Sequence, residues 1–500
     1  MTYNAIILTD TKEFCRVKPL GAYVIANSLR QAGHSCLVID HFTEIPKDKL
    51  FYLLANFVGD NTVFVGYSSS LLYTADGKFQ YLGVDSAYFA DINQHIKKIN
   101  PRTKIIFGGA YTPKFSAFTN KNKKNLGVDY LIHGYAEGMI IEFMKNEREG
   151  KSQKFSTKNH GLYEINYDFR GDSFQFCNEK FQWHDEDLIF ENESLPIELS
   201  RGCIFKCKFC AYPLLGKNKN DLTYLKPEET IVSEVLRNYD KFKTLNYFIV
   251  DDTFNERTEK LEVLLKVRDR SKLNLSFVGY NRLDLIHRFP EQIPLFKDLN
   301  FVGHSFGLET FNHESAKIIG KGLRESDATE TLLKIKNSMH RVNTTGSFIV
   351  GLPKETPQTF SDWFTRVADK DYPLDSIVLN ALMLSETTHT KSEFFSNPSK
   401  YGYDFFERNS TEDFPDRVWK NQYWSFDECL RMVEDLRGQL VANRRNKLSS
   451  FLSIGLCSLI GDNNLLSVLN VPIEYARINF FKQKHSQRVE NYIDRLEKLC

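Results

Sequence analysis

Short apolar runs alternate with amphipathic stretches along the first 145 residues. Ala5–Leu8 has strand length, and after it Val24, Ile25, Ser28, Leu29 and Ala32 share one helical face that Gly33 ends. Cys36–Ile39, Val63–Tyr67, Lys104–Phe107 and Tyr130–Ile132 read as further strands. Strands separated by helix-sized gaps predict a doubly wound, Rossmann-like parallel sheet. Ligands of such sheets sit beyond the carboxyl ends of the strands. Here those ends are Thr9-Asp10, Ser68-Ser69-Ser70, Gly108-Gly109-Ala110 and His133-Gly134.

The rhythm fades over residues 146–194, a polar linker with one or two short strands, and resumes at Leu195–Leu199. Pro227, Glu228 and Glu229 open a helix whose Ile231, Val232, Val235 and Leu236 face inward. Strands are predicted at 245–250, 274–279, 301–307, 345–350 and 376–383, with helices between them; Thr356-Pro357 caps the helix bearing Phe360, Trp363, Phe364 and Val367. Six strand–helix units within residues 195–390 predict a partial (β/α)6 barrel of TIM type, its chemistry at the strand carboxyl ends. Residues 391–500 are mainly helical, and no internal repeat is visible. The fold class is α/β throughout.

Composition narrows the function classes. Sixty-five Lys and Arg against 64 Asp and Glu leave a net charge of +1, unlike a protein built to neutralise phosphates. No positive charge precedes the first apolar run, and Phe451–Ile460 is too short to span a bilayer, so neither a secretory leader nor a membrane span is expected. Nine cysteines, three of them within eight positions, do not form a disulfide framework. A reducing, cytoplasmic setting is expected.

Those three are Cys203, Cys207 and Cys210, spaced four and three apart on a loop opened by Arg201-Gly202. Three soft thiolates on one loop suit three irons of a four-iron cube and leave the fourth iron open. The alternative is a zinc site completed by a distant Cys177 or His184.

The Cys-x3-Cys-x2-Cys pattern, with Phe209 before the last cysteine, resembles the signature of the radical S-adenosylmethionine (SAM) superfamily. The resemblance implies a [4Fe-4S] cluster on Cys203, Cys207 and Cys210. Its open iron would chelate SAM, and one electron would cleave SAM to methionine and a 5′-deoxyadenosyl radical. Three further segments are similar to family motifs, in order. Phe248–Phe254 would set Asp251 and Asp252 near the SAM amino group. Gly307-Leu308-Glu309-Thr310 would bring Glu309 to the ribose or methionine part. Gly346 to Thr356, with Gly351 and Pro353, would lie beside the adenine, although Lys354 stands where the family has glycine. Arg282 falls where this branch has an arginine near the site.

Pro19–Ala22, Gly33–Asp40, Phe64–Ser68, Ile106–Gly109 and Asp129–Glu137 resemble the cobalamin-binding-like domain that precedes many radical SAM proteins. Small residues at the strand ends, Ser68, Gly108 and Gly109, would let a corrin lie across the sheet edge. The Asp-x-His-x-x-Gly motif with the cobalt-ligating histidine is missing: Thr11 and Lys12 follow Asp10, and His34 and His133 read as structural. Two readings stay open: bound cobalamin serving methyl transfer to an unactivated carbon, or a substrate or partner module on an enzyme of cyclisation, rearrangement or dehydrogenation. A non-catalytic binding protein on the same fold is the third.

The implied partners are a small-molecule or peptide substrate and a reducing donor of flavodoxin or ferredoxin type. Ten Lys and Arg against five Asp and Glu over residues 437–500 read as a solvated helix face rather than a nucleic-acid surface. Cys15 and Cys36 are too few for the extra cluster of the methylthiotransferase branch; Cys429, Cys457 and Cys500 read as buried or incidental thiols.

Overall fold

The computed structural model describes residues 1–11, 17–68, 72–73, 80–81, 85–109, 112–151, 157–166, 176–178, 180–211, 220, 222–339, 342–369, 371–384, 392–407, 417–442 and 474–500. Phe451–Ile460, Lys12, Cys15, Ser69-Ser70, Ala110, Cys457, Arg444, Arg445 and Lys447 lie outside the described residues.

The first sheet contains β1 (Ala5–Leu8), β2 (Cys36–Ile39), β3 (Phe64–Ser68), β6 (Lys104–Gly108), β7 (Tyr130–His133), β8 (Thr157–Asn159) and β9 (Leu162–Asn166). A separate small hairpin joins β4 (Leu72–Tyr73) to β5 (Gln80–Tyr81). The order is β2-β1-β3-β6-β7-β9-β8, parallel except for the terminal β8–β9 hairpin. Alternate side chains of these strands serve two cores. Ile7, Val38, Phe64, Ile106 and Ile132 face the helices Leu20–Gln31 and Glu137–Arg148. Ile6, Leu37, Val65, Ile105 and Leu131 face the helices Lys47–Phe57 and Ser86–Ile99. Burial on both faces is why the strands read as unbroken apolar runs.

The stretch expected to be a linker does more than connect. Its β9 pairs in parallel with β7 and so extends the first sheet. One or two short strands are expected here, but Leu162 and Ile165 fall on opposite faces of the sheet, so no period-2 pattern announces that β9 joins it. Further along, Phe181 and Trp183 join the core shared with the second sheet.

The second sheet is β10 (Leu195–Ile197), β11 (Asn246–Ile249), β12 (Ser276–Asn281), β13 (Phe301–Glu309), β14 (Asn343–Val350) and β15 (Ser376–Ala381), all parallel and in chain order. This is the expected partial barrel. Tyr247, Ile249, Phe277 and Phe306 sit in its outer core under the helices. Phe248 and Val278 face the thinly filled interior, where Val17 from the loop after β1 packs against them.

The C-terminal region contains the helices Phe426–Ala442 and Glu474–Glu497 and an antiparallel pair, β16 (Asp404–Glu407) and β17 (Arg417–Lys420). Its two ends dock on different partners. Trp419, Cys429 and Leu436 join the barrel core, whereas Val489, Tyr492, Ile493 and Leu496 close the outer face of the first sheet. Tyr492 donates to Val38 O at 3.2 Å and accepts from Asp40 N at 2.8 Å. No helix of the described residues is long and apolar enough to cross a membrane.

Candidate functional site

The cysteine loop leaves the carboxyl end of β10, and four backbone contacts pin it. Ile204 N donates to Glu256 Oε2 at 3.0 Å, and Cys210 N to Cys207 O at 3.1 Å. Lys208 N donates to Ile319 O, and Lys208 O accepts from Phe394 N, both at 3.1 Å. Gly202 turns the chain at φ 109°, a conformation an L-residue adopts only with strain. Cys203 is buried, its Sγ 3.6 Å from Thr253 Oγ1; Cys207 and Cys210 are partly exposed and none of the three is disulfide-bonded. Burial pushes the Cys203 thiol up to about 11. A thiol held that high is poorly ionised at neutral pH without a metal to take the proton's place.

Charged groups gather around this loop. The Arg282 guanidinium lies 3.9 Å from the centre of the Phe205 ring and donates to Cys207 Sγ at 3.7 Å. Asp284 fixes it with two bonds of 2.7 and 3.0 Å. Glu309 sits at φ 66°, where the β13–β14 register slips, and Lys321 Nζ holds its Oε1 at 2.7 Å. A Cβ on Gly307 would meet both Glu309 Oε1 and Lys321 Nζ at 2.5 Å, so the glycine makes the room that this ion pair fills.

The expected carboxylates separate into different jobs. Asp251 does not reach outward: its oxygens accept from Leu199 N, Ser200 N and Ser200 Oγ at 2.7, 3.1 and 2.7 Å, and from Lys260 Nζ at 2.6 Å. It ties the end of β11 to the start of the cysteine loop. Asp252 is the carboxylate that remains on the open side. Burial, with the charges of Asp251 and Glu198, pushes its carboxyl up to about 7.

In the Gly346–Thr356 segment the small residues also have packing duties. A Cβ on Gly346 would lie 2.7 Å from Leu374 Cδ1 and 3.1 Å from Leu308 Cδ1, so this glycine serves core packing. Gly351, at φ 102°, lies beneath Trp419 and Cys429, which would stand 2.5 and 2.7 Å from its Cβ, and its carbonyl accepts from Tyr403 Oη at 2.9 Å. Pro353 is buried, its carbonyl accepting from Ser315 Oγ at 2.6 Å. Lys354 takes the left-handed φ of 64° that suits the glycine it replaces. Glu355 binds the motifs to one another. Its Oε1 accepts from Thr310 Oγ1 at 2.7 Å and Trp363 Nε1 at 2.9 Å, and its carbonyl from Trp424 Nε1 at 2.6 Å.

Between the first sheet and the barrel lies an apolar cavity of about 440 Å³. Ser68, Gly108 and Gly109 line it from the strand ends of the first sheet, and Glu198, Arg201 and Val250 from the barrel. A Cβ on Gly108 would meet nothing nearer than Ile132 O at 3.8 Å, so its other side is open space. No histidine is among the described residues that line it; His133 is held instead by Thr112 Oγ1 at 2.8 Å and Glu164 Oε2 at 3.2 Å.

Sequence reasoning missed the residue that joins the cavity to the cysteine loop. Arg201 forms a bidentate pair with Glu198, at 2.8 Å on each arm, and a third bond to Glu137 of the first domain. Its guanidinium stands 4.7 Å from the Tyr135 ring centre and 4.9 Å from that of Phe176. The signal available was an Arg two positions before Cys203 and a Glu at the end of an apolar strand, both costly to bury unless paired.

Residues 197–367 match the profile of the radical SAM superfamily. No curated protein matches the chain in sequence. Among solved structures, the radical SAM methyltransferase TsrM from Kitasatospora setae, with tryptophan substrate and the SAM analogue aza-SAM bound, superposes with a TM-score of 0.63 at 13% identity over 97% of this chain and 100% of that one. The same enzyme with cobalamin and a [4Fe-4S] cluster bound gives 0.57 at 14% identity, covering 82% and 81%. The cobalamin-dependent SAM radical enzyme OxsB, with aqua-cobalamin and SAM bound, gives 0.57 at 14% identity, covering 99% and 72%. The likeness is one of fold, running through both sheets and into the C-terminal region. The chain therefore carries a radical SAM domain over residues 197–367, set behind a Rossmann-like sheet.

Proposed function

We propose that this chain is a cobalamin-dependent radical SAM enzyme that transfers a methyl group to a carbon of a small-molecule or peptide substrate. The observation that carries the reading is the apolar cavity, lined by Phe64, Ser68, Ile106 and Gly108 of the first sheet on one side and by Glu198, Arg201 and Val250 of the barrel on the other. Cys203, Cys207 and Cys210 would hold a [4Fe-4S] cluster that supplies the electron for SAM cleavage, and cobalamin in the cavity would supply the methyl group. The donor set fits such a cluster, being three thiols with no fourth protein ligand assigned. The cavity fits a flat ring because Gly108 opens onto it.

The chain's own residues have these roles. Arg282 places positive charge beside Cys207 and donates to its Sγ. Asp252 offers an acceptor to an ammonium group, and the Glu309–Lys321 pair presents fixed charge at the end of β13. Apolar walls exclude water from a reactive radical. The TsrM structure holds cobalamin and a [4Fe-4S] cluster, and the OxsB structure holds aqua-cobalamin and SAM, which supports the reading. A cobalamin-free enzyme, with the cavity taking substrate instead, is favoured by the lack of histidine among the described residues of the lining.

Anaerobic reconstitution with iron and sulfide, then SAM and reductant, tests the radical step: 5′-deoxyadenosine forms, and Cys207→Ala abolishes it. Hydroxocobalamin followed by gel filtration tests the second cofactor. Corrin absorbance should travel with the wild type and be lost in Gly108→Leu, which fills the cavity while leaving iron content intact. Absence of corrin from the wild type sinks the methyl-transfer reading and leaves the cobalamin-free one.

A further inference from the structure

A second cluster of ligating side chains lies away from the cysteine loop, where the C-terminal helix meets the first sheet. His41 follows β2 in a left-handed conformation, φ 55°, and is fully buried at 0% exposure. Glu44 stands three residues later and is half-exposed. His485 comes from the helix Glu474–Glu497, is 3% exposed, and places its Nε2 at 2.9 and 2.8 Å from the two Glu44 oxygens. His41 Nδ1 lies 3.9 Å from Glu44 Oε1. One ligand atom from each of the three residues falls within 4.8 Å of the others.

Three atoms bound at about 2.0–2.1 Å to one tetrahedral ion lie roughly 3.3 Å apart. The two separations from Glu44, 2.8 Å to His485 and 3.9 Å to His41, bracket that spacing, and the two imidazoles lie within 4.8 Å of each other. Hydrogen bonding accounts for His485 Nε2, which pairs with Glu44, and leaves the other ring nitrogens unexplained. Both ring nitrogens of His41 and Nδ1 of His485 are buried without a hydrogen-bond partner. Such orphaned buried groups are costly and rare in native proteins. On the far side of the His41 ring, Nε2 lies 3.9 Å from Asp40 Oδ2, whose carboxylate is held by Thr11, Lys18 and Tyr23.

We propose that His41, Glu44 and His485 bind a divalent first-row transition ion of the zinc class, which staples the C-terminal helix to the carboxyl end of β2. Two imidazoles and one carboxylate are a donor set for zinc, and the half-exposed Glu44 leaves a route for the ion and a position for water. The joint already carries the Tyr492 bonds to Val38 and Asp40. The ion would fix the helix at a second point one or two turns away.

The test uses the full chain with Cys203, Cys207 and Cys210 replaced by alanine, so that the cluster loop takes no ion and radical chemistry plays no part. Titrated with Zn2+ alone, this chain should bind one equivalent and unfold at a higher temperature with zinc than without. His485→Ala and Glu44→Gln should each weaken binding at least about tenfold and abolish the thermal shift. The second change, at a half-exposed position, keeps the test valid if the first does not fold. With Co2+ the chain should show visible d–d bands without thiolate charge transfer. Absence of zinc binding, affinity in both variants undiminished from that of the parent chain, or a thiolate band would each overturn the proposal. Failure of the methyl-transfer reading would leave it untouched.

Discussion

Arg201→Met is the most informative single change away from the thiols. Arg201 and Glu137 are each 7% exposed at the side chain and Glu198 is 15% exposed, so removing the guanidinium leaves two nearly buried carboxylates without a counter-charge. Breaking one partner of a buried ion pair costs about 3–5 kcal/mol, and lost stacking on Tyr135 and Phe176 adds about 0.5–2 kcal/mol. Chemical denaturation of the cluster-free chain should show a loss in that range at pH 7. The sign with pH follows from the orphaned carboxylates. Their folded pKa values rise above the unfolded ones, so the variant regains stability as the pH falls and the acids protonate. Adding Glu137→Gln and Glu198→Gln should recover at least half of the loss. A cost under about 1 kcal/mol, or a cost equal at pH 5 and pH 7, would refute the account of Arg201 as a buried brace between the two domains.

Three further outcomes are expected. Gly351→Ala adds a Cβ at 2.5 Å from Trp419 and imposes φ 102° on an L-residue, so it should destabilise by about 2–5 kcal/mol and expose the Phe426–Ala442 helix to proteolysis. Lys354→Gly relieves a φ of 64° and should leave stability unchanged or raise it by up to about 1 kcal/mol, measured by thermal unfolding. Burial pushes Glu355 up to about 7, so the folded chain binds more protons than the unfolded one between the ordinary carboxylate value and pH 7. Stability therefore falls as the pH rises through that window. Glu355→Gln should gain on the wild type by about 1–3 kcal/mol between pH 5 and pH 8, read as the difference between their denaturation curves.

The chain's own pattern determined both sheets, because parallel strands buried on two faces must be apolar throughout and must end in small or polar residues where the chain turns. It also determined the cysteine loop, since three thiols at spacings of four and three residues are a local fact. Motif positions were legible, but the direction of each side chain was not. Asp251 and Asp252 are neighbours in the bend just past the end of β11, where the sequence does not say which way each side chain points. One is consumed by Lys260 and Ser200 and the other is left on the open side. Gly351 matched a ligand motif, yet residues 68 and 78 positions later in the chain decide that its small size serves packing against Trp419 and Cys429. Arg201 with Glu137, and His485 with Glu44, unite groups 64 and 441 positions apart. Pairings at that separation carry no periodicity. Only the folded chain brings them together, and burial then makes their charges count.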